Sequence, residues 1–119
     1  MLNFFKNLFK KNKLNYESEF VVEYNNQGIG VRHPKHDYEY IKWNDVNQIM
    51  VITTDQGPML CDLWIVLSGD NTSCSIPQGA TGFDKLFDAF KKFDNFRWKS
   101  FFDAMASTNN NKFICWEKS

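Results

Sequence analysis

The stretch Arg32-His-Pro-Lys-His-Asp37 holds both histidines of a 119-residue chain beside a carboxylate. Two imidazoles three residues apart are a candidate metal pair, and either could serve as a general base oriented by Asp37. No third metal ligand stands nearby in sequence, and Pro34 with Lys35 marks a turn. The plainer reading takes His33, His36 and Asp37 as a solvated hairpin turn, and the residue types favour it. Cys115, between Ile114 and Trp116, becomes a nucleophile only if an imidazole stands close. With both histidines in the turn, it reads as a buried structural thiol. Three cysteines, Cys61, Cys74 and Cys115, cannot all pair, and none has CxxC or Cys/His zinc spacing. Cys61 and Cys74 fall on neighbouring strands but out of register, so free thiols in a reducing, cytoplasmic compartment are expected. No metal and no cofactor is expected.

Two further segments invite a chemical reading. Gly79-Ala-Thr-Gly82 precedes a helix and offers amides to an anion. It lacks the Lys-Ser/Thr of a phosphate loop, so it reads as a helix entry with Thr81 as cap and Asp84 at the third helical position. Arg97, Trp98 and Lys99 form a polar-aromatic stretch at the joint between two helices, and Trp and Arg are enriched at binding hot spots. These three are the candidate partner contacts.

Charge is distributed unevenly. The chain has 14 basic and 14 acidic residues. Lys6, Lys10, Lys11 and Lys13 all lie in residues 1–13, without an acid, so the body from Leu14 onward holds 10 basic and 14 acidic residues, a balance of −4. On a helical wheel Leu2, Phe4, Phe5, Leu8 and Phe9 share one arc and the lysines the other. This segment, residues 1–14, is read either as a short helix packed on the domain or as an anchor on anionic lipid. In the second case Phe4, Phe5, Leu8, Phe9, Lys6 and Lys10 would be the membrane contacts. It is too short for a secretory signal, and no apolar run approaches a membrane span. The acidic body opposes nucleic-acid binding.

The elements that must position these residues follow from periodicity. Aromatics make up 17% of the chain, with 12 Phe and 4 Trp, enough for a substantial core. Residues 15–119 read as one domain. Strands are expected at Phe20–Tyr24, Gly28–His33, Tyr38–Trp43, Val46–Thr53, Cys61–Ser68 and Thr72–Ile76, separated by Asn/Gly/Pro/Asp-rich turns. The period then changes. Phe83, Leu86, Phe87, Phe90 and Phe93 form a stripe along one helix, and Trp98–Ser107 is a second helix with Phe101, Phe102 and Met105 as its apolar side. Lys112–Trp116 is a last strand. The class is α+β: an antiparallel meander of six or seven strands packed against one or two C-terminal helices.

Ile41, Trp43, Val46 and Ile49 resemble the I-x-W-x-x-I strand-turn-strand of bacterial pleckstrin-homology-like domains. Ile76-Pro-Gln-Gly-Ala-Thr-Gly-Phe-Asp84, Ala104-Met-Ala-Ser-Thr-Asn109 and Phe113-Ile-Cys-Trp116 resemble a signature of small uncharacterised bacterial proteins. The resemblance covers about Phe20 to Trp116. It implies a curled sheet or partial barrel with a C-terminal helix, and it implies no activity. A pleckstrin-like domain has seven strands and then one helix, whereas this sequence reads as six strands, two helical stretches and a terminal strand.

No constellation of acid, base and nucleophile emerges from the sequence. The expectation is therefore a non-catalytic protein-interaction module. Its concrete version is an immunity-type inhibitor of a cationic toxin domain, steered by opposite charge. The alternatives are a peripheral membrane module docking through the Phe/Lys tip, and an enzyme using His33/His36 or Cys115.

Overall fold

The fold is known from a computed structural model that describes residues 17–55 and 63–118. The expectations for the N-terminal segment (Phe4, Phe5, Leu8, Phe9, Lys6, Lys10) and for Cys61 fall outside these residues. Within them the chain is α+β, with seven strands in two antiparallel sheets and two short helices. The first sheet contains β1 (Val21–Tyr24), β2 (Gly28–His33) and β3 (His36–Lys42), in that order. A 3-10 turn, Trp43–Asp45, leads into the second sheet. There β4 (Gln48–Thr53), β5 (Leu63–Ser68) and β6 (Ser73–Pro77) form a meander, and β7 (Asn111–Glu117) returns to pair with β4, giving the order β6-β5-β4-β7.

Side-chain alternation explains the second sheet. Ile49, Val51 and Thr53 of β4 and Leu63, Ile65 and Leu67 of β5 are buried, and the residues between them are half-buried. The first sheet turns Val22, Ile29, Val31 and Ile41 toward the same core. The β1–β2 turn is built by Asn25, whose side-chain oxygen accepts the amides of Gln27 at 2.9 Å and Gly28 at 3.1 Å. The edges of β3 and β6 pack together, and Glu39 Oε1 accepts the Ser75 amide at 2.7 Å. Among the described residues no backbone ladder joins these two strands, so the two sheets do not close into one hydrogen-bonded barrel.

The Phe-rich segment plugs the open side, as its periodicity predicts, but in shorter pieces. A 3-10 turn, Phe83–Lys85, leads into α1 (Leu86–Phe90), and α2 (Trp98–Ala106) follows after a bend. Leu86, Phe90, Phe101 and Ala104 are fully buried. The expected Thr81 cap is not made. Thr81 is a staple: its hydroxyl donates to Ser18 O at 2.7 Å, its amide donates to Phe20 O, and its carbonyl accepts the Val22 amide. The helix entry is Gly82 instead, at φ 89°, a conformation that suits glycine. The helical stripe also ends early. The amides of Lys92, Phe93 and Phe96 donate three residues back, and Asn95 sits at φ 65°, so Phe93 leaves the helix.

Candidate functional site

The histidine turn is tighter than its sequence suggests. Only Pro34 and Lys35 lie between the strands, and His33 pairs directly with His36 in the β2–β3 register. Cross-strand partners share a sheet face, so both rings point the same way, with centroids 4.6 Å apart. Phe20 packs on both, at 4.3 Å from His33 and 5.6 Å from His36, and Trp64 meets Phe20 edge-on. The expectation of solvated histidines is corrected for His33, which is 7% exposed because Phe20 covers it; His36 is exposed. His33 Nδ1 accepts the Lys35 amide at 3.0 Å, and Nε2 lies 3.3 Å from Glu19 Oε2. That pattern assigns the proton of the neutral ring to Nε2.

The structure therefore brings His33, His36 and Asp37 together, along a cleft of about 320 Å³ that Phe20, Glu39 and Trp64 also line. Glu19 and Glu39, which the sequence reading did not select, belong to the same neighbourhood. As a general base His33 is poorly placed, because the lone pair it would use is already bound to the Lys35 amide. Among the described residues no group of three or more His, Cys, Asp or Glu is arranged to hold a metal ion.

Cys115 is not part of this cleft. It lies in β7 on the other sheet, fully buried, and its thiol donates to Phe113 O at 3.8 Å. Burial pushes its pKa up to about 11, against the opposing pull of Arg97. Burial, with the carboxylate of Glu39, pushes the Cys74 thiol up to about 12. Both are protonated at neutral pH, a poor state for nucleophilic attack.

Arg97, Trp98 and Lys99 sit where α2 begins. Trp98 is half-buried, 4.5 Å from Phe96 and stacked at 6.5 Å and 9° on Phe87. Arg97 pairs with Glu117 at 3.6 Å, and Lys99 with Asp103 at 2.9 Å. Phe102 joins this group. It was expected on the inner side of α2 but is 56% exposed, 6.0 Å from Trp98. Phe101 takes the inner place, and the next residue of a helix, 100° round, cannot share it.

The outer face of the first sheet is the surface that sequence reasoning missed. Tyr38 and Tyr40 project from β3, 53% and 37% exposed, with ring centroids 6.3 Å apart and planes 25° apart. Each lies diagonally over a glycine of β2. A Cβ on Gly30 would meet the Tyr38 phenol, and one on Gly28 the Tyr40 phenol. The Arg32 guanidinium lies 5.6 Å from the Tyr38 ring centre and pairs with Glu23 at 3.0 Å. A usable signal was present in the sequence: Gly-x-Gly and Tyr-x-Tyr on opposite arms of a hairpin whose turn is Pro34-Lys35.

Compared with family models, with curated proteins and with solved structures, the chain matches none of them. Among the described residues no helix is long and apolar enough to cross a membrane.

Proposed function

We propose that this protein is a non-catalytic interaction module that grips a basic protein partner. Its concrete form is an immunity-type inhibitor of a cationic toxin domain. One observation carries the reading: two exposed tyrosines stacked side by side and held over glycines on a hydrogen-bonded sheet. Large aromatic surface left outside the core, on a rigid element, suits a binding hot spot, because little side-chain entropy remains to be lost. Charge supports the partner's sign. From Leu14 onward acids outnumber bases 14 to 10, and Glu23 offsets the charge of the Arg32 guanidinium beside Tyr38. Opposite charge would speed the encounter.

The test is capture of a partner by immobilised full-length protein. The wild type retains a basic protein at low salt and releases it near 0.5 M salt, where the Debye length falls to roughly 4 Å. Tyr38→Ser/Tyr40→Ser loses it. A Phe102→Ser variant reports on the second face, that of Arg97, Trp98 and Lys99. Undiminished capture by the tyrosine variant, or an acidic protein as the captured species, refutes the reading.

A further inference from the structure

A cleft of about 700 Å³ opens between the turn after β3, the end of α1 and the end of β7. Its walls are three half-buried aromatic rings, Trp43, Phe93 and Trp116. Phe93 meets both indoles edge to face, at 5.7 Å and 72° from Trp43 and at 4.8 Å and 69° from Trp116. Both indole N–H groups are committed to backbone carbonyls. Trp43 Nε1 donates to Asn25 O at 2.7 Å, and Trp116 Nε1 donates to Asp94 O at 2.9 Å. The rings are thus oriented before any ligand arrives, which lowers the ordering cost of binding. Buried Val46 and Ala89 line the interior, and exposed Asn26, Asn44, Lys92 and Lys118 complete the lining. Among the described residues neither lysine forms an ion pair, and no carboxylate lines the cleft.

The geometry points to a binding site for a small planar organic anion: a ring bearing a carboxylate or sulfonate, seated on the indoles and met by Lys92 and Lys118. The volume falls within the roughly 300–1,000 Å³ of small-molecule pockets, and mostly apolar walls with a few placed charges are their usual lining. Three rings set on edge to one another also suit a quaternary ammonium. Two ammonium groups without an opposing carboxylate repel such a cation, and this decides the sign of the ligand. The site shares no residue with the tyrosine face, so it goes beyond the proposed function and stands or falls separately.

Four tryptophans make the test selective, since Trp43 and Trp116 line the cleft while Trp64 and Trp98 do not. The ¹⁵N-labelled full chain is titrated with 8-anilinonaphthalene-1-sulfonate and with its neutral relative N-phenyl-1-naphthylamine. The indole N–H signals of Trp43 and Trp116 shift and saturate with the sulfonate, and those of Trp64 and Trp98 stay in place. Lys92→Gln/Lys118→Gln weakens the sulfonate at least about fivefold, the scale of two exposed charge contacts, and leaves the neutral probe within about twofold. Both lysines are exposed, so the variant folds, and its unchanged backbone spectrum verifies this. Three results overturn the inference: sulfonate affinity unchanged in the lysine variant, shifts at Trp64 or Trp98 in place of Trp43 and Trp116, or no saturable binding. Tetramethylammonium moving the same two signals overturns it as well.

Discussion

Removing the two buried thiols should flatten the loss of stability in alkali. Cys74 and Cys115 are fully buried, with pKa values pushed up to about 12 and about 11 from an ordinary 9.0. A raised pKa means that the folded chain holds a proton the unfolded chain gives up. The contribution to stability is therefore complete below about pH 8 and declines as pH rises from 9 toward the folded values. Each thiol costs about 1.4 kcal/mol per pH unit in that window, so moving from pH 8 to pH 10 removes roughly 3 kcal/mol for the pair. At about 4 °C per kcal/mol, this is on the order of 10 °C in Tm. The assay is urea unfolding of the wild type and of Cys74→Ala/Cys115→Ala at both pH values. The variant starts less stable, because each truncation leaves a small void. The comparison is therefore each protein's own loss between the two pH values, in which the titrations of tyrosines, lysines and Cys61 cancel. The wild type should lose roughly 3 kcal/mol more, with each single variant near half that. Equal losses in wild type and double variant, within about 0.5 kcal/mol, would refute the reasoning.

Gly30→Ala places a Cβ nearest the Tyr38 phenol, the far end of an exposed side chain, whereas Gly28→Ala meets the Ile41 carbonyl at 2.5 Å. Thermal unfolding should show Gly30→Ala within about 1 kcal/mol of wild type, and Gly28→Ala destabilised by about 1–3 kcal/mol because backbone must move; the reverse order would contradict the register. Phe101→Ala should cost about 3–5 kcal/mol by urea unfolding, and its neighbour Phe102→Ser, 56% exposed, less than about 1 kcal/mol; similar costs for both would mean that the faces of α2 are misassigned.

Strand identities were legible wherever one face is core and the other is not. Ile49, Val51, Ile65 and Leu67 alternate with less buried neighbours, and their period of two is local information. The Phe stripe was legible as core for the same reason, and Phe83, Leu86 and Phe90 are buried. Its length was not. Phe93 continues the helical period in sequence, yet its ring packs between Trp43 and Trp116, residues 50 positions before and 23 after it. That packing pulls it out of the helix. Thr81 fits a cap by type, but its hydrogen-bonding groups were claimed by Ser18, Phe20 and Val22, more than 50 residues away. The candidate site was half legible. His33, His36 and Asp37 were singled out and do line one cleft, but Glu19, Phe20 and Trp64, which surround them, come from other segments.

By itself the sequence determined the class of the fold, the order of its elements, the sign of the body's charge and the absence of zinc-type cysteine spacing. All of these are carried by residue type and by spacing over a few positions. Tertiary structure alone decided which large side chains remain outside. Phe102 is chemically identical to the buried Phe101, and only its position on α2 leaves it exposed, as the position of β3 leaves Tyr38 and Tyr40 on the outer face. The same holds for the rack of Trp43, Phe93 and Trp116 and for the covering of His33 by Phe20. Exposure and ring contact depend on what distant chain arrives at a given place, and no local pattern encodes that.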